Sequence, residues 1–318
     1  MTMKFGVVVP QGWRMDLVGI SDPAEAYEAM SRVAQEAERL GFDSIWLYDH
    51  FHTVPEPSQE LTFECWTSTA ALARDTQRIR VGQIVTCNSY RNPALLAKMA
   101  CTVDALSHGR LDFGIGAGWY EHEYNAYGYE YPSTGERLRR LEEALQVILA
   151  MWTQNEATFE GKYYHVRGAI NRPKGVQQPH IPLLIGGEGE KVTLRLVAQY
   201  ADACNIGGDS ATITHKLNVL RQHCERLGRD YNAIRRTSLV DTCAIAESEE
   251  AAIAKLPPEE RADLDEVRTT QLLGTPEMIR HRLVEYETAG IQELLIHFVD
   301  AATNLDALRL FARECMGK

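Results

Sequence analysis

The sequence predicts an α/β protein, a (β/α)8 TIM barrel with insertions at the C-terminal face of its strands. Three observations favour this fold. Short apolar runs alternate eight times with amphipathic segments, glycine-rich turns follow several of the runs, and the 318 residues allow roughly 40 per strand–helix unit. Such alternation implies parallel strands joined by right-handed crossovers. A doubly wound sheet is the competing architecture, but it usually has fewer units and a phosphate-binding turn after its first strand.

Apolar periodicity places four strand–helix units in the first half of the chain. The predicted strands are 4–9, 44–48, 79–85 and 110–116, and the predicted helices are 22–40, 62–74, 93–106 and 136–152. Asp22-Pro23 is a typical helix start and Gly41 a typical helix stop. The Gly-rich turn therefore follows the fourth strand and not the first, which favours the barrel.

The second half of the chain supplies four more units. Its predicted strands are 181–185, 203–206, 236–246 and 291–298, and its predicted helices are 190–200, 212–227, one beginning at Thr275-Pro276, and 304–316. Thr275 is a good capping residue and proline fits the first helical turn. We expect one domain, 1–318, with two insertions. The first, 153–180, contains a hairpin near 158–164; the second, 247–270, is acidic and predicts a solvated or mobile lid.

Composition limits the function classes. A hydrophobic content of 45%, a charged content of 24% and a net charge of −11 are typical of a soluble globular protein and argue against a nucleic-acid partner. No apolar run is long enough for a membrane span and no signal peptide is visible, so we expect a cytoplasmic protein. The seven cysteines form no C-x-x-C pair, which argues against a disulfide framework and a zinc ribbon.

Functional residues of a barrel lie at the C-terminal ends of its strands. Glycines at 114, 116 and 118 lack the Cβ atoms that would keep a ring or phosphate from the backbone, although a plain tight turn fits them equally well. Gly186-Gly187-Glu188-Gly189-Glu190 precedes a helix and could bind an anion through backbone N–H groups. Ordinary capping by the two glutamates is the alternative, and their charge opposes a phosphate unless they point away.

His50, beside Asp49 at the second strand end, is the candidate proton donor or acceptor, because a histidine titrates near neutral pH. His50-x-His52 also resembles a metal pair, but no later set of residues completes a coordination sphere, so we expect no metal. No G-x-S-x-G elbow is present, and we interpret Cys87 as a packed thiol.

The chain resembles the bacterial luciferase-like superfamily, specifically its deazaflavin branch, which uses coenzyme F420. The motifs that carry the resemblance are KFGVVVPQG, GFDSIWLYDHF, VGQIVTCNSYRNPALLAKMACTVDALSHGRLDFGIGAGWYEHEY, IPLLIGGEGEKVTLRLVAQYADACNI and GTPEMIRHRL. It implies a barrel with the cofactor across the strand ends, a non-prolyl cis peptide in a bulge around 83–85, and a homodimer.

The resemblance also implies residue roles. Asp49 and the bulge of Gln83, Ile84, Val85 and Thr86 would line the deazaflavin ring, Gly116, Ala117 and Gly118 would pass along the cofactor, and Gly186, Gly187, Glu188, Gly189 and Glu190 would hold its phosphate. His50 matches a histidine that similar sugar-phosphate dehydrogenases place near the ring. Trp119 and Val54 stand where those enzymes have a glutamate and a tryptophan, which argues against sugar-phosphate oxidation. Glu121 or Glu123 could supply a carboxylate instead.

We therefore predict an F420-dependent oxidoreductase that transfers a hydride between the deazaflavin and a small organic substrate, with His50 moving the proton. Three alternatives remain open: an FMN-dependent luciferase-like monooxygenase, a non-catalytic flavin- or deazaflavin-binding barrel, and a metallohydrolase. The sequence does not identify the substrate, whose shape would depend on the two insertions and on Trp13, Trp119 and Tyr127.

Overall fold

Eight parallel strands close into a barrel in the computed structural model, which describes residues 3–317. The strands are β1 (Lys4–Val8), β2 (Ser44–Leu47), β3 (Arg80–Gln83), β4 (Thr86–Cys87), β5 (Leu111–Gly116), β6 (Glu156–Glu160), β7 (His165–Ile170), β8 (Leu183–Gly186), β9 (Ala203–Asn205), β10 (Arg235–Ile245), β11 (Leu272–Gly274) and β12 (Glu293–Phe298). β3 and β4 are two pieces of one barrel strand, separated by a bulge. The predicted (β/α)8 fold is confirmed.

Helices surround this barrel. They are α1 (Pro23–Leu40), α2 (Cys65–Asp75), α3 (Pro93–Leu106), α4 (Glu121–Ala126), α5 (Thr134–Thr153), α6 (Thr193–Tyr200), α7 (Ser210–Leu227), α8 (Glu249–Lys255), α9 (Pro258–Arg261), α10 (Leu264–Thr270), α11 (Pro276–Ala289) and α12 (Asp306–Cys315). Asp22 caps α1, Gly41 ends it with a left-handed conformation, and Thr275 caps α11, as predicted. None of the helices described is long and apolar enough to cross a membrane.

Strand pairing follows chain order around the barrel. β1 pairs with β2, β2 with β3, and β5 with both β3 and β4; the ring then continues through β8, β9, β10 and β12 back to β1. Val7 aligns with Ile45 on one side and with Ile296 on the other. Because all eight strands point the same way, their C-terminal ends meet at one face of the barrel.

The side chain of Trp46, on β2, fills the middle of the barrel interior. Its ring is fully buried, and the neighbouring strands carry glycines where it packs. A Cβ atom on Gly82 would lie 2.6 Å from the Trp46 ring, and one on Gly6 would lie 2.7 Å from its indole nitrogen. The indole Nε1 donates to Ser44, so the buried ring leaves no polar atom unpaired. The Trp46 ring therefore closes the barrel interior beneath the C-terminal face of the strands.

Toward the N-terminal ends of the strands, beyond the Trp46 ring, charged side chains from facing strands form a buried network. Asp112 on β5 accepts hydrogen bonds from Arg80 (2.7 Å) and Arg235 (3.0 Å), and Arg235 also lies 3.4 Å from Glu293 on β12. The Asp112 side chain is only 1% exposed. These contacts connect β3, β5, β10 and β12 across the bottom of the barrel.

Both insertions contain regular secondary structure. The first contains the β6–β7 hairpin, longer than the predicted 158–164. In the second, Ala252 of α8, Leu256 and Val267 of α10 form a small apolar cluster, and β11 extends the edge of β10. The apolar residues here are few and widely spaced, so their periodicity is hard to see among the acidic ones.

Local boundaries differ from the prediction at three places. The third strand ends at Gln83 because the bulge interrupts it, α4 follows β5 where only a loop was expected, and α6 begins at Thr193 and not at 190. α4 is too short for a helical pattern to stand out in the sequence. All seven cysteines are free and six are buried, as the sequence suggested.

Candidate functional site

A cavity of about 540 Å³ opens at the C-terminal face of the barrel. Most of the predicted site residues line it: Asp49, His50, Ile84, Val85, Thr86, Gly116, Ala117, Gly118, Gly186, Gly187 and Gly189. Gln83, Glu188 and Glu190 do not. The fold therefore brings together residues from the ends of four barrel strands, in the place where barrels carry their functional groups.

The bulge between β3 and β4 contains a cis peptide bond between Ile84 and Val85, where the family resemblance implied one. The Val85 side chain projects toward two glycines on neighbouring strands. A Cβ atom on Gly116 would lie 2.8 Å from Val85 Cγ2, and one on Gly186 would lie 2.9 Å from Val85 Cγ1. The glycines therefore make room for the bulge, a reason that the sequence analysis did not give.

Gln83 lies beneath the cavity and is fully buried. Its side-chain Nε2 donates to Thr69 on α2 at 3.2 Å. Of the four bulge residues predicted to line the ring, Ile84, Val85 and Thr86 line the cavity and Gln83 does not. Its carbonyl oxygen instead occupies the space that a Cβ atom on Gly114 would need, so Gln83 supports the bulge through its backbone.

Asp49 is buried at the end of β2 and is held by a guanidinium. Arg91 forms two hydrogen bonds with its carboxylate, at 2.6 and 2.9 Å, and the backbone N–H of Cys87 donates a third at 2.8 Å. Burial lowers the pKa of Arg91, but the charge of Asp49 outweighs it and the net pKa is raised. Asp49 therefore presents a neutralised, rigid wall to the cavity.

His50 is paired with Glu123, a residue on α4. Its Nδ1 lies 2.9 Å from Glu123 Oε2, and the Glu123 side chain is completely buried. Glu123 also accepts from the backbone N–H groups of Phe51 (2.6 Å) and His52 (2.9 Å) and from the Tyr90 hydroxyl (2.8 Å). Four donors around one carboxylate hold the histidine ring in a single orientation.

The protonation pattern of this pair follows from its contacts. Burial raises the pKa of Glu123, but the hydrogen bond and charge of His50 and the two backbone donors outweigh it, so the pKa lies below its ordinary value. An ionised carboxylate only accepts, so the His50 Nδ1 must carry a proton. Nε2 has no hydrogen-bond partner among residues 3–317, and His50 lines the cavity. Nε2 is thus the nitrogen available for proton transfer.

Aromatic rings surround His50. Trp13 stacks on it with 4.2 Å between ring centroids and 7° between planes, while Trp119 and Tyr120 approach edge-on at 5.7 and 5.9 Å. Trp13 follows β1, and Trp119 and Tyr120 follow β5. These rings, together with Leu138 on α5, form the apolar part of the cavity wall.

The loop after β8 turns its acidic side chains away from the cavity. Glu188 accepts from the backbone N–H of Gly207 at 2.7 Å, and Glu190 pairs with Lys216 on α7 at 3.0 Å. Their side chains therefore hold the loop, and the predicted phosphate contact through the backbone N–H groups of 186–190 stays a prediction. Gly186, Gly187 and Gly189 remain on the cavity side. The objection that these charges would repel a phosphate no longer applies.

Cys87 lines the cavity as a packed thiol. Burial raises its pKa to about 12, although the hydrogen bond with Tyr124, at 3.2 Å, acts in the opposite direction. A thiol with this pKa stays protonated near neutral pH and is a poor nucleophile. Among residues 3–317, no group of three or more His, Cys, Asp or Glu side chains is arranged to hold a metal ion.

Three important residues of the site were not predicted, or were left undecided. Arg91 was not predicted, and Trp13 was named only as a residue that would shape the substrate; nothing in the sequence shows that they approach Asp49 and His50. Glu123 was weighed together with Glu121, and only the orientation of α4 separates them. A histidine at a strand end is commonly oriented by a carboxylate, and this expectation points to the acidic residues after β5.

Comparison with known proteins then identifies the family. The sequence profile of the luciferase-like monooxygenases matches residues 3–293. The chain belongs to this family. The resemblance noted from the sequence motifs is confirmed, and family membership fits the position of the cavity at the strand ends.

Individual relatives use two kinds of cofactor according to their names. An F420-dependent glucose-6-phosphate dehydrogenase of Kineococcus radiotolerans is 34% identical over 64% of this chain and 60% of its own length, less than two thirds of that relative. An FMNH2-dependent dimethylsulfone monooxygenase of Pseudomonas putida is 25% identical over 84% of this chain and 82% of its own. The structure of an F420-dependent secondary alcohol dehydrogenase with an F420–acetone adduct superimposes with a TM-score of 0.84 at 21% identity, over 99% of this chain and 98% of that one.

Proposed function

We propose that the protein is an F420-dependent oxidoreductase that transfers a hydride between the deazaflavin and a small organic substrate. The observation that carries the proposal is the His50–Glu123 pair on the wall of the strand-end cavity, with Nε2 unpaired. The relatives named F420-dependent support the choice of cofactor. A 5-deazaflavin supplies or accepts a hydride at a ring carbon and reacts poorly with oxygen.

The residues present fit such a group. Thr86, the Ile84–Val85 bulge and Gly116–Gly118 would lie along the ring, and Asp49 would close that side. At the other end, Gly186, Gly187 and Gly189 would bind the phosphate through backbone N–H groups, beside the Thr193 hydroxyl. A Cβ atom on Gly189 would lie 2.9 Å from Thr193 Oγ1 and fill this space.

His50 supplies the proton chemistry in this proposal. Reduction of a carbonyl requires a proton at its oxygen, and oxidation of an alcohol requires its removal. Nε2 gives or takes this proton, while Glu123 stabilises the imidazolium form and keeps the ring in place. A positioned acid–base group contributes on the order of 10²–10⁴ in rate.

Substitution of His50 by alanine tests this role. We expect turnover to fall by about 10²–10⁴, with the dissociation constant for F420 unchanged, because no part of the phosphate loop is altered. The measurement is steady-state kinetics on small alcohols and carbonyl compounds, together with fluorescence titration of F420. Normal turnover in the variant, with cofactor binding intact, contradicts the proposal.

A side-by-side titration of the purified protein with F420 and FMN tests the cofactor. Tight binding of F420 alone supports the proposal. Tight binding of FMN favours an FMN-dependent monooxygenase, which the relative from Pseudomonas putida makes the second candidate. Binding of F420 without turnover of any compound favours a non-catalytic binding protein. The homodimer and the cytoplasmic location remain predictions; sedimentation of the purified protein tests the first.

A further inference from the structure

No lysine or arginine among residues 3–317 lines the cavity. The carboxylates that line it belong to Asp49, which is paired with Arg91, and to Asp241. His50 lines the cavity too, but the buried Glu123 carboxylate already pairs with its ring. An anionic substrate would therefore meet mainly aromatic rings, glycines and carboxylates, and no lysine or arginine that neutralises its charge.

The nearest guanidiniums are engaged elsewhere. Arg91 forms hydrogen bonds with Asp49 and Glu64, and Arg137 donates to the backbone oxygens of Gly118 and Pro132. These four partners hold both cations outside the cavity lining. Neither cation is free to turn toward a substrate without leaving its partners.

Arg14 is the third nearby cation. It lies 3.1 Å from Glu260 on α9 and 3.8 Å from Asp241. It lines shallow depressions beside the second insertion and not the main cavity. Two carboxylates therefore neutralise this guanidinium.

Asp241 adds negative charge on the cavity side. Its side chain is 39% exposed and accepts a hydrogen bond from the buried Tyr48 hydroxyl at 3.1 Å. Two like charges repel over this range, and the repulsion increases where water is excluded. A cofactor phosphate avoids this problem because the backbone N–H groups of the 186–189 loop lie at another part of the cavity.

The aromatic wall favours an apolar ligand. Trp119 is 59% exposed at the cavity mouth and stacks on Tyr120 with 5.2 Å between ring centroids. A large exposed ring beside a cavity is typical of a surface that a ligand covers. The ring lies edge-on to His50, so a compound stacked on it lies next to the proton donor.

We infer that the substrate is an uncharged alcohol or carbonyl compound attached to an aromatic or other apolar ring, and not a phosphate ester or a carboxylate. In the reducing direction, the reduced cofactor would supply the hydride to the carbonyl carbon as the C=O π bond breaks, and His50 Nε2 would give its proton to the oxygen. Oxidation of the alcohol is the reverse. The inference rests on the proposed function for this reaction, but the preference for an uncharged ligand follows from the cavity lining.

The test compares binding of benzyl alcohol and benzyl phosphate by ligand-observed NMR titration. The protein is loaded with F420, and a second series uses the unloaded protein with excess inorganic phosphate to occupy the glycine loop. We expect benzyl phosphate to bind at least about tenfold more weakly, since no lysine or arginine lines the cavity among the described residues and Glu123 already pairs with His50. Equal or tighter binding of benzyl phosphate overturns the inference.

Two variants locate the binding. Trp119→Ala should weaken benzyl alcohol binding about tenfold through lost ring contacts, whereas Trp119→Phe should retain most of it. Leu138→Arg adds a cation to the wall and should shift the preference toward benzyl phosphate. Unchanged benzyl alcohol affinity in Trp119→Ala contradicts the inference.

The same data separate the two proposals. A protein that fails to bind F420 but still prefers benzyl alcohol disproves the proposed function and supports the substrate class. A protein that binds F420 but prefers benzyl phosphate supports the proposed function and disproves the substrate class.

Discussion

His50 is held by a carboxylate that lies 73 positions later in the chain. Each oxygen of Glu123 has two donors: Oε1 accepts from two backbone N–H groups, and Oε2 accepts from His50 Nδ1 and the Tyr90 hydroxyl. The carboxylate thus selects one tautomer of the imidazole. Glu123 acts on the reaction only through His50 and is a positioning residue.

Replacing Glu123 by glutamine tests this role. In the variant, an amide N–H₂ replaces one carboxylate oxygen and therefore faces the donors that this oxygen accepted from. A donor then faces a donor, and the contact becomes repulsive. We expect the free energy of unfolding to fall by about 1–3 kcal/mol and turnover to fall about tenfold or more. ¹⁵N NMR of His50 should show a mixture of tautomers.

Glu121→Gln is the matched control, because Glu121 is an exposed residue of the same helix. Its variant should keep wild-type stability and a single His50 tautomer. A Glu123→Gln protein whose His50 spectrum is unchanged would mean that the pair has no positioning role.

The bulge between β3 and β4 depends on glycines in the strands beside it. Gly116 and Gly186 leave the space that the two methyl groups of Val85 occupy. β5 and β8 would otherwise be ordinary buried strands, where glycine is unfavourable. The glycines of β5 and β8 are therefore explained by the bulge, which belongs to neither of these strands.

Gly116→Ala should push Val85 away from its position. We expect a loss of about 1–3 kcal/mol in stability from overpacking and weaker F420 binding. The double variant with Val85→Ala removes the opposing methyl groups and should recover most of the stability. Denaturant unfolding and F420 titration measure both effects.

Gly135→Ala serves as the control. It lies in α5, and a Cβ atom there would meet nothing closer than 3.5 Å, so it should not destabilise the protein. If Val85→Ala fails to rescue Gly116→Ala, the contact between these two residues is not the cause of the loss.

At the scale of the whole molecule, the Asp112 network joins strands on different sides of the barrel. Burial raises the pKa of Asp112, but the charges of Arg235 and Arg80 outweigh it and the net pKa is lowered from 3.8. The stability that comes from a lowered carboxyl pKa is fully present above the unfolded value. It is lost as the pH falls through the folded value.

Asp112→Asn should therefore lower the free energy of unfolding by about 3–5 kcal/mol near neutral pH, because two partly buried guanidiniums lose their shared buried anion. The difference in stability between the variant and the wild type should narrow as the pH falls below 3.8. Denaturant unfolding over a pH series measures this difference. Asp265→Asn, at an exposed ion pair with Arg268, should cost far less; a similar cost for both variants would show that burial is not important.

Predictions from the sequence succeeded for features whose cause lies within a few residues of the chain. The strand–helix alternation, the caps at Asp22, Gly41 and Thr275, and the grouping of site residues at strand ends all follow from local pattern and parallel topology. They did not extend to contacts with distant segments of the chain. Gln83 donates to α2 and does not line the cavity, and Glu188 and Glu190 turn toward Gly207 and α7. No local pattern shows these partners.

The sequence alone determined the barrel, the face on which the cavity opens and the candidate proton donor, since hydrophobic periodicity and strand direction are local properties that a closed sheet repeats. Only the tertiary structure decided that His50 pairs with Glu123, that Arg91 neutralises Asp49, and that no lysine or arginine in the described part of the chain lines the cavity. Hydrogen bonds and charge pairs act over a few ångströms between residues far apart in the chain, so they are settled by how the helices and loops pack.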